Sequence, residues 1–433
     1  AAGLLLTSAS ALVIAACGQT DVSSSTDKTN AGKPKSEQAR NIAPPGPSPA
    51  REPDRKRDGY GPTLKRQQPK RIVAGIRRDL TPRPTLDREK YQKTEINPVK
   101  RVAEHPVSTF SVDVDTGSYT NVRRFLNAGR LPPVAAVRIE EMVNYFKYDY
   151  RLPEDRTTPF SVHTEVMKSP WNANTYLVKI GVKGYDIPRT ERPAANLVFL
   201  VDVSGSMNSP DKLPLLVASL KMLTQKLTER DRVSLVVYAG AAGVVLQPTR
   251  GDEQATIVAA LERLRAGGST AGGAGIKLAY AMAQKAFIKG GTNRVIVATD
   301  GDFNVGVANI AALKDMVARY RKTGITLTAL GFGRGNYNEH LMEQIANVGN
   351  GNYAYIDTLS EAKKVLVDDM TGTLFTIAKD VKIQIEFNRA VVGEYRLIGY
   401  ENRMLKREDF RNDKVDAGEI GAGHTVTAER GAG

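Results

Sequence analysis

Residues 197–206 read LVFLVDVSGS, an uninterrupted apolar run that ends at one aspartate and two serines. A strand that is apolar on both faces is typical of a parallel sheet covered by helices on both sides. Asp202, Ser204 and Ser206 then place three oxygen-bearing side chains at alternating positions, where a buried strand needs none. Ligands of a doubly wound sheet bind at the carboxyl ends of its strands, so this stretch predicts both a fold and a site.

From Asn196 onward, short apolar runs alternate with helical patterns. The clearest helical pattern has leucines at steps of three and four, which trace one apolar face: Leu213, Leu216, Leu220, Leu223 and Leu227. This alternation predicts an α/β domain over residues 196–375, built on a doubly wound, mainly parallel sheet of the Rossmann-like kind.

The residues on either side of this domain alternate with a period of two, which is typical of β-strands. Residues 107–195 are predicted to form an N-terminal α+β, β-rich module, and residues 376–433 a C-terminal β-rich segment. We expect these two parts to pair with each other and so bracket the central domain. The abrupt end of the sequence predicts that the C-terminal segment is truncated. Trp171 is expected in the core of a hairpin of the N-terminal module.

Two further loops carry oxygen ligands at the ends of predicted elements. Thr270 lies in the glycine-rich loop 267–273, and Asp300 ends a predicted strand. With the three residues of the D-x-S-x-S motif they offer five oxygen donors, which suit a hard cation. The alternative takes Asp202 as a helix N-cap and the serines as turn residues, and it explains each residue singly but not the five together.

These motifs together resemble the metal-ion-dependent adhesion site of von Willebrand factor type A (VWA) domains. Asp202, Ser204 and Ser206 match the family's D-x-S-x-S, and Thr270 and Asp300 match its later threonine and aspartate. The resemblance implies a VWA fold that binds Mg²⁺, or another divalent cation such as Mn²⁺ or Ca²⁺. It also implies that the hydroxyls bind the ion directly, that the aspartates act largely through water, and that a partner protein supplies a Glu or Asp as a further ligand.

Residues 1–17 are apolar and small up to the only cysteine of the chain, Cys17. They are too short to span a bilayer and are shaped like the apolar part of a signal peptide. The run Val13-Ile14-Ala15-Ala16-Cys17-Gly18 resembles the lipobox of bacterial lipoproteins, which implies that Cys17 carries acyl chains and anchors the protein in the cell envelope. Gly18 favours the outer membrane where there is one. The alternative is an apolar N-terminal helix with an incidental cysteine.

The formal net charge of +14 is concentrated in residues 51–101, which hold sixteen Lys/Arg against seven Asp/Glu. These residues are rich in proline and show no regular period, so residues 18–106 are predicted to form a disordered, basic linker. A charged linker can adhere to anionic surfaces by charge alone, and no specific nucleic-acid partner is predicted.

The segments VRRFLNAGRLPP and RIEEMVNYF, with the β-rich tail, resemble a group of bacterial VWA-domain lipoproteins. We therefore predict metal-dependent protein binding without catalysis; the alternative function is a structural envelope scaffold without metal-dependent binding. Asp115-Thr116-Gly117-Ser118 copies the DTGS of aspartic proteases, whose chemistry needs two such carboxylates. Because no second D-[ST]-G occurs, these residues are predicted to turn a strand into a helix.

Overall fold

The computed structural model describes residues 12–17, 89–93, 95–188, 190–268, 272–301, 310–335, 337–412 and 414–433. In chain order its strands are β1 Leu12–Cys17, β2 Lys100–Arg101, β3 Val107–Ser111, β4 Phe160–Lys168, β5 Tyr176–Gly184, β6 Ala195–Asp202, β7 Arg232–Tyr238, β8 Ala242–Arg250, β9 Thr292–Thr299, β10 Ile325–Phe332, β11 Tyr353–Ile356, β12 Thr376–Glu386, β13 Glu394–Ile398, β14 Met404–Leu405, β15 Gly418–Gly421 and β16 Thr425–Ala432.

The α-helices in the same ranges are α1 Gly117–Asn127, α2 Ile139–Asn144, α3 Leu213–Thr224, α4 Gln254–Glu262, α5 Gly272–Lys285, α6 Ile310–Arg321, α7 Glu339–Val348, α8 Leu359–Lys363 and α9 Met370–Leu374. A π-helical turn, Lys364–Asp368, joins the last two. Among the described residues, no helix is both long enough and apolar enough to cross a membrane.

The central sheet has the strand order β11-β10-β9-β6-β7-β8, and every pair is parallel except β7 with β8. All eight residues of β6 are buried, because helices cover both faces of the sheet. Side chains from α3, α4 and the α8–α9 region form one apolar cluster, and side chains from α5, α6 and α7 form the other. The predicted doubly wound, mainly parallel sheet is confirmed.

The flanking segments form two antiparallel sheets that share one apolar core. One has the order β1-β12-β3-β14, with β15 also pairing with β12, and the other has the order β2-β13-β16-β5-β4. Strand β16 pairs with β5 from Thr425 opposite Lys183 to Ala432 opposite Tyr176, and β12 pairs with β3. The two segments on either side of the central domain therefore build one β-module, as expected.

The predicted linker, residues 18–106, extends too far at its C-terminal end. Residues 100 and 101 form β2 and pair with β13, and the buried Asn97 donates hydrogen bonds to the carbonyls of Leu397 and Gly399. These residues are polar and non-periodic, and their partners lie some 300 positions away in the sequence. Local pattern therefore gave no sign that they are part of the module.

Strand β1 pairs antiparallel with β12, from Leu12 opposite Ile385 to Cys17 opposite Lys379. The backbone of these residues is extended, so the alternative of an N-terminal helix is wrong for Leu12–Cys17. The predicted signal segment and lipidation of Cys17 remain predictions. Most of the predicted linker, residues 18–88, lies outside the described residues.

Of two local expectations in the N-terminal module, one is wrong. Trp171 is 69% exposed, because it lies in the turn that joins β4 to β5, where the chain has left the sheet. The DTGS stretch does connect a strand to a helix, since β3 ends at Ser111 and α1 begins at Gly117. Its Asp115 accepts a hydrogen bond from the Tyr353 N–H and so ties this connection to β11 of the central sheet.

Candidate metal centre

Asp202 lies at the carboxyl end of β6 and is fully buried. Its Oδ1 accepts a hydrogen bond from the Ser204 N–H at 2.8 Å. Its Oδ2 accepts one from Thr299 Oγ1 at 3.0 Å and one from the Tyr238 hydroxyl at 3.2 Å. Tyr238 ends β7 opposite Asp202, and Thr299 ends β9, so the ends of three neighbouring strands converge on this one carboxylate.

The two serines of the motif bring their hydroxyls together just beyond Asp202. Ser204 Oγ and Ser206 Oγ are 3.0 Å apart, with Ser204 buried and Ser206 exposed. A short 3₁₀ turn, Gly205–Asn208, produces this arrangement by bending the chain directly after β6. The hydroxyl pair therefore connects the buried carboxylate to the protein surface.

The glycine-rich loop lies against the serine loop. The Gly205 N–H donates to the Gly268 carbonyl at 3.1 Å, and the Gly267 N–H donates to the Val203 carbonyl at 2.8 Å. Gly268 has φ +85°, a conformation that favours glycine. Thr270 follows two positions later and lies outside the described residues, so its role as a ligand remains a prediction.

Asp300, the last predicted ligand, is also fully buried and follows β9. Its Oδ2 forms an ion pair with Lys212 Nζ at 2.8 Å. Lys212 immediately precedes α3, and its aliphatic chain passes over Gly333, where a Cβ would lie 2.3 Å from Lys212 Cγ and Cε. Gly333 therefore leaves the space through which the lysine reaches Asp300.

Burial and a neighbouring charge both act on the Asp202 carboxyl. Burial raises the pKa of Asp202, and the nearby charge of Asp300 raises it further, although hydrogen bonds from Ser204 and Thr299 act in the opposite direction. Two carboxylates and two hydroxyls are an all-oxygen donor set, which is the chemistry that Mg²⁺ and Ca²⁺ require. The described residues thus fit the divalent cation that the sequence motif implies.

Sequence reasoning missed three residues at this site: Tyr238, Thr299 and Lys212. The first two could have been found, because Tyr238 pairs with Asp202 at the end of the neighbouring strand and Thr299 directly precedes the predicted ligand Asp300. Lys212 gave no signal, since a lysine before an apolar helix is ordinarily exposed. Here it is buried, and its partner lies 88 positions away.

A second acidic cluster, Asp113, Asp115 and Glu343, is buried with carboxylate oxygens within 4.8 Å of one another. Arginines contact it: Arg403 Nε is 2.9 Å from Asp113 Oδ2, and Arg138 is 3.4 Å from Glu343. The cluster joins the N-terminal module, α7 and the C-terminal segment. Its chemistry is that of a buried ion-pair network.

The chain matches the von Willebrand factor type A domain family over residues 196–369 and a von Willebrand factor family over residues 85–179. Residues 372–429 match the family described as uncharacterized protein YfbK, C-terminal. The chain is 53% identical over 344 residues to the uncharacterized protein YfbK of Escherichia coli (strain K12). The aligned residues make up 78% of this chain and 60% of that protein.

The uncharacterized protein sll0103 of Synechocystis sp. is 30% identical over 194 residues, which is 45% of this chain and 44% of that protein. The chain thus spans 60% or less of the length of these two relatives. Among solved structures, the von Willebrand factor type A protein from Catenulispora acidiphila covers 66% of this chain and 75% of its own, with 15% identity and a TM-score of 0.39. From the family matches and the observed fold, residues 196–369 are a VWA domain, and the chain is a bacterial VWA domain-containing protein.

Proposed function

We propose that the VWA domain is a metal-dependent, adhesion-type protein-binding module. VWA domains suggest protein–protein interaction or adhesion, and the observation that supports metal dependence here is the convergence on Asp202. The buried Asp202 accepts a hydrogen bond from the Ser204 N–H, the Ser204 and Ser206 hydroxyls lie together, and the charge of Asp300 acts on the Asp202 carboxyl. No catalytic role is proposed.

Each residue has a distinct part in this proposal. Ser204 and Ser206, with Thr270, would hold the cation through neutral oxygens, and Asp202 positions the serine loop through the Ser204 N–H. When bound, Mg²⁺ or a similar ion supplies a positive centre for a Glu or Asp of the partner. Two opposite unit charges 4 Å apart attract by about 4 kcal/mol at an effective dielectric near 20, which is enough to make binding depend on the ion.

The test combines thermal melting with pull-downs from envelope extract, in Mg²⁺ and in EDTA. Mg²⁺ should raise the melting temperature of the wild type and increase capture of a partner, and Asp202→Ala should abolish both effects. The control is Asp252→Ala, an exposed acid paired with Arg250, which should behave as the wild type. If every captured protein stays bound to the wild type in EDTA and also binds the Asp202→Ala variant, the proposal of metal-dependent binding is wrong.

The alternative is a structural envelope scaffold, and the same experiment separates the two functions. A scaffold would retain its partners without the ion, whether or not Mg²⁺ stabilises the fold. An enzyme that uses the DTGS aspartate is a weaker candidate, because Asp115 is buried and bonded to the Tyr353 N–H. Hydrolytic activity that disappears in Asp115→Asn would be needed to support it.

We also propose that Cys17 is lipidated and anchors the protein in the bacterial envelope, with the outer membrane favoured where there is one. The support is the apolar run that ends in Ala15-Ala16-Cys17-Gly18. Metabolic labelling with a palmitate analogue should mark the wild type but not Cys17→Ser. An unlabelled wild type in cells that label other lipoproteins would contradict the anchor.

A further inference from the structure

Strand β4 is an edge strand with an exposed apolar surface. Among the described residues its only strand partner is β5, so one side of its backbone offers unpaired N–H and C=O groups. Three of its apolar side chains remain largely in solvent: Val162 at 41%, Val166 at 58% and Met167 at 49% exposure. Strand edges of this kind pair readily with another chain.

The two valines belong to the core face of the sheet. Val162 lies opposite Val182, and Val166 lies opposite Val178. Val182 is buried in the core of the β-module, and Val178 packs against that core. The apolar face of the sheet therefore continues onto β4, where it is exposed to solvent. A further strand beside β4 would cover this continuation.

We propose that the further strand is β4 of a second copy, paired antiparallel about a twofold axis at Thr164. Thr164 is the central residue of the nine in β4, so this register pairs the strand over its full length. Val162 then faces Val166 of the second copy, and His163 faces its Glu165. Apolar pairs, polar pairs that can hydrogen-bond and a central Thr–Thr pair are combinations that stabilise antiparallel strands.

The neighbouring registers lack this complementarity. An axis at Glu165 would place Glu165 opposite itself, and like charges directly opposite each other are destabilising. An axis at His163 would place His163 opposite itself and Val162 opposite Thr164. The sequence VHTEV is thus self-complementary in one register, as an isologous interface between identical copies requires.

Both His163 and Glu165 are held in place before the two copies pair. The His163 ring stacks on Tyr150, with centroids 5.2 Å apart. Glu165 forms an ion pair with Lys179 of the neighbouring strand and remains 54% exposed, so it can contact a second donor. The other candidate occupant, a strand from an unrelated protein, would gain no benefit from this palindromic order of residues.

The test is a charge swap followed by sedimentation equilibrium of the full chain. In homodimers of His163→Glu, the introduced glutamate would face Glu165 of the second copy. In homodimers of Glu165→Lys, the introduced lysine would face His163. Each variant alone should dimerise about tenfold or more weakly than the wild type, because two attractive pairs become repulsive or are lost. A mixture of the two variants allows an attractive pair between the introduced glutamate and the introduced lysine, and it should form heterodimers of near wild-type affinity.

The matched controls are His105→Glu and Glu154→Lys, which make the same changes at exposed positions outside β4. They should leave the dimer unchanged, and thermal melting of every variant checks that it is folded. The proposal is overturned if the wild type is monomeric at all concentrations, if either single variant dimerises as tightly as the wild type, or if the mixture gains nothing over its components.

Discussion

Lys212 Nζ lies 2.8 Å from Asp300 Oδ2, so an ammonium group of the chain itself contacts one of the predicted metal ligands. Both side chains are buried, and the lysine supplies a positive charge where the proposed cation would compete for the same carboxylate. Removing the lysine should therefore have two opposite effects: it should strengthen cation binding and lower the stability of the fold.

Lys212→Met should bind Mg²⁺ more tightly, with a dissociation constant lower by about tenfold, because the competing charge is gone. Without Mg²⁺ the same variant should lose about 3–5 kcal/mol of unfolding free energy, since the buried Asp300 carboxylate loses its ion pair with Lys212. Calorimetric titration and urea unfolding measure the two effects, with Lys221→Met, which removes an exposed ion pair with Glu262, as the control. Weaker Mg²⁺ binding in Lys212→Met would contradict the competition.

Gly301→Ala should disturb the candidate metal centre through the backbone. Gly301 has φ +89°, and a Cβ there would lie 2.3 Å from the Asn338 N. Gly290 has a similar φ of +73° but no atom within 4 Å of its Cβ position, so Gly290→Ala isolates the conformational cost of about 1–2 kcal/mol. Urea unfolding should show a clearly larger loss for Gly301→Ala, and its Mg²⁺ affinity should fall because Asp300 is displaced. Equal losses in the two variants would show that the contact with Asn338 is unimportant.

Asp231 should contribute to acid sensitivity. Burial acts to raise the pKa of Asp231, but hydrogen bonds from Arg192 and from the Thr228 and Ala195 N–H groups outweigh it and hold the pKa below its ordinary value. Its stabilisation is therefore present above the unfolded-state pKa of about 3.9 and is lost as the pH falls through the lower folded-state value. Urea unfolding between pH 7 and pH 3 should show that the unfolding free energy of Asp231→Asn falls less steeply with decreasing pH than that of the wild type. The exposed Asp315→Asn should retain the wild-type slope, and an equally steep slope in Asp231→Asn would refute the assignment.

Arg430→Leu should stabilise the β-module. Arg430 is fully buried, and none of its three guanidinium nitrogens has a hydrogen-bond partner in the described structure. Burial lowers the pKa of Arg430 to about 9, and Tyr395 acts in the opposite direction only in part. The guanidinium carbon lies 4.8 Å from the centre of the Phe110 ring. Removing an uncompensated buried charge should raise the unfolding free energy by about 1–4 kcal/mol. The exposed Arg396→Leu should change it by less than about 0.5 kcal/mol, and a destabilised Arg430→Leu would show that the guanidinium has a partner in solution.

The parts of the fold that could be predicted depend on local patterns. The apolar residues of β6 and the leucine face of α3 report their own burial, because the period of a pattern follows from the geometry of the element. The position of Asp202 could be predicted for the same reason, since it directly follows an apolar strand. The other predicted ligands were chosen as oxygen-bearing side chains at the ends of predicted elements, and their role as ligands stays a prediction.

The parts that could not be predicted depend on partners distant in sequence. Lys212 is buried because Asp300 neutralises it, and Asn97 is buried because carbonyls some 300 positions away accept its hydrogen bonds. Neither residue differs in its local sequence from an exposed one. The linker boundary and the lysine beside Asp300 were therefore missed for the same physical reason.

The pairing of β16 with β5 has a consequence for the order of folding. The two strands lie on either side of the VWA domain, and Lys183 of β5 contacts Gly423, 240 positions later. Joining them through an unfolded chain of that length carries a large loop-closure entropy, which a folded VWA domain reduces by bringing its own ends together. The central domain should therefore fold first, and until it does, β4 and β5 lack the neighbour that completes their sheet and are vulnerable to aggregation during synthesis.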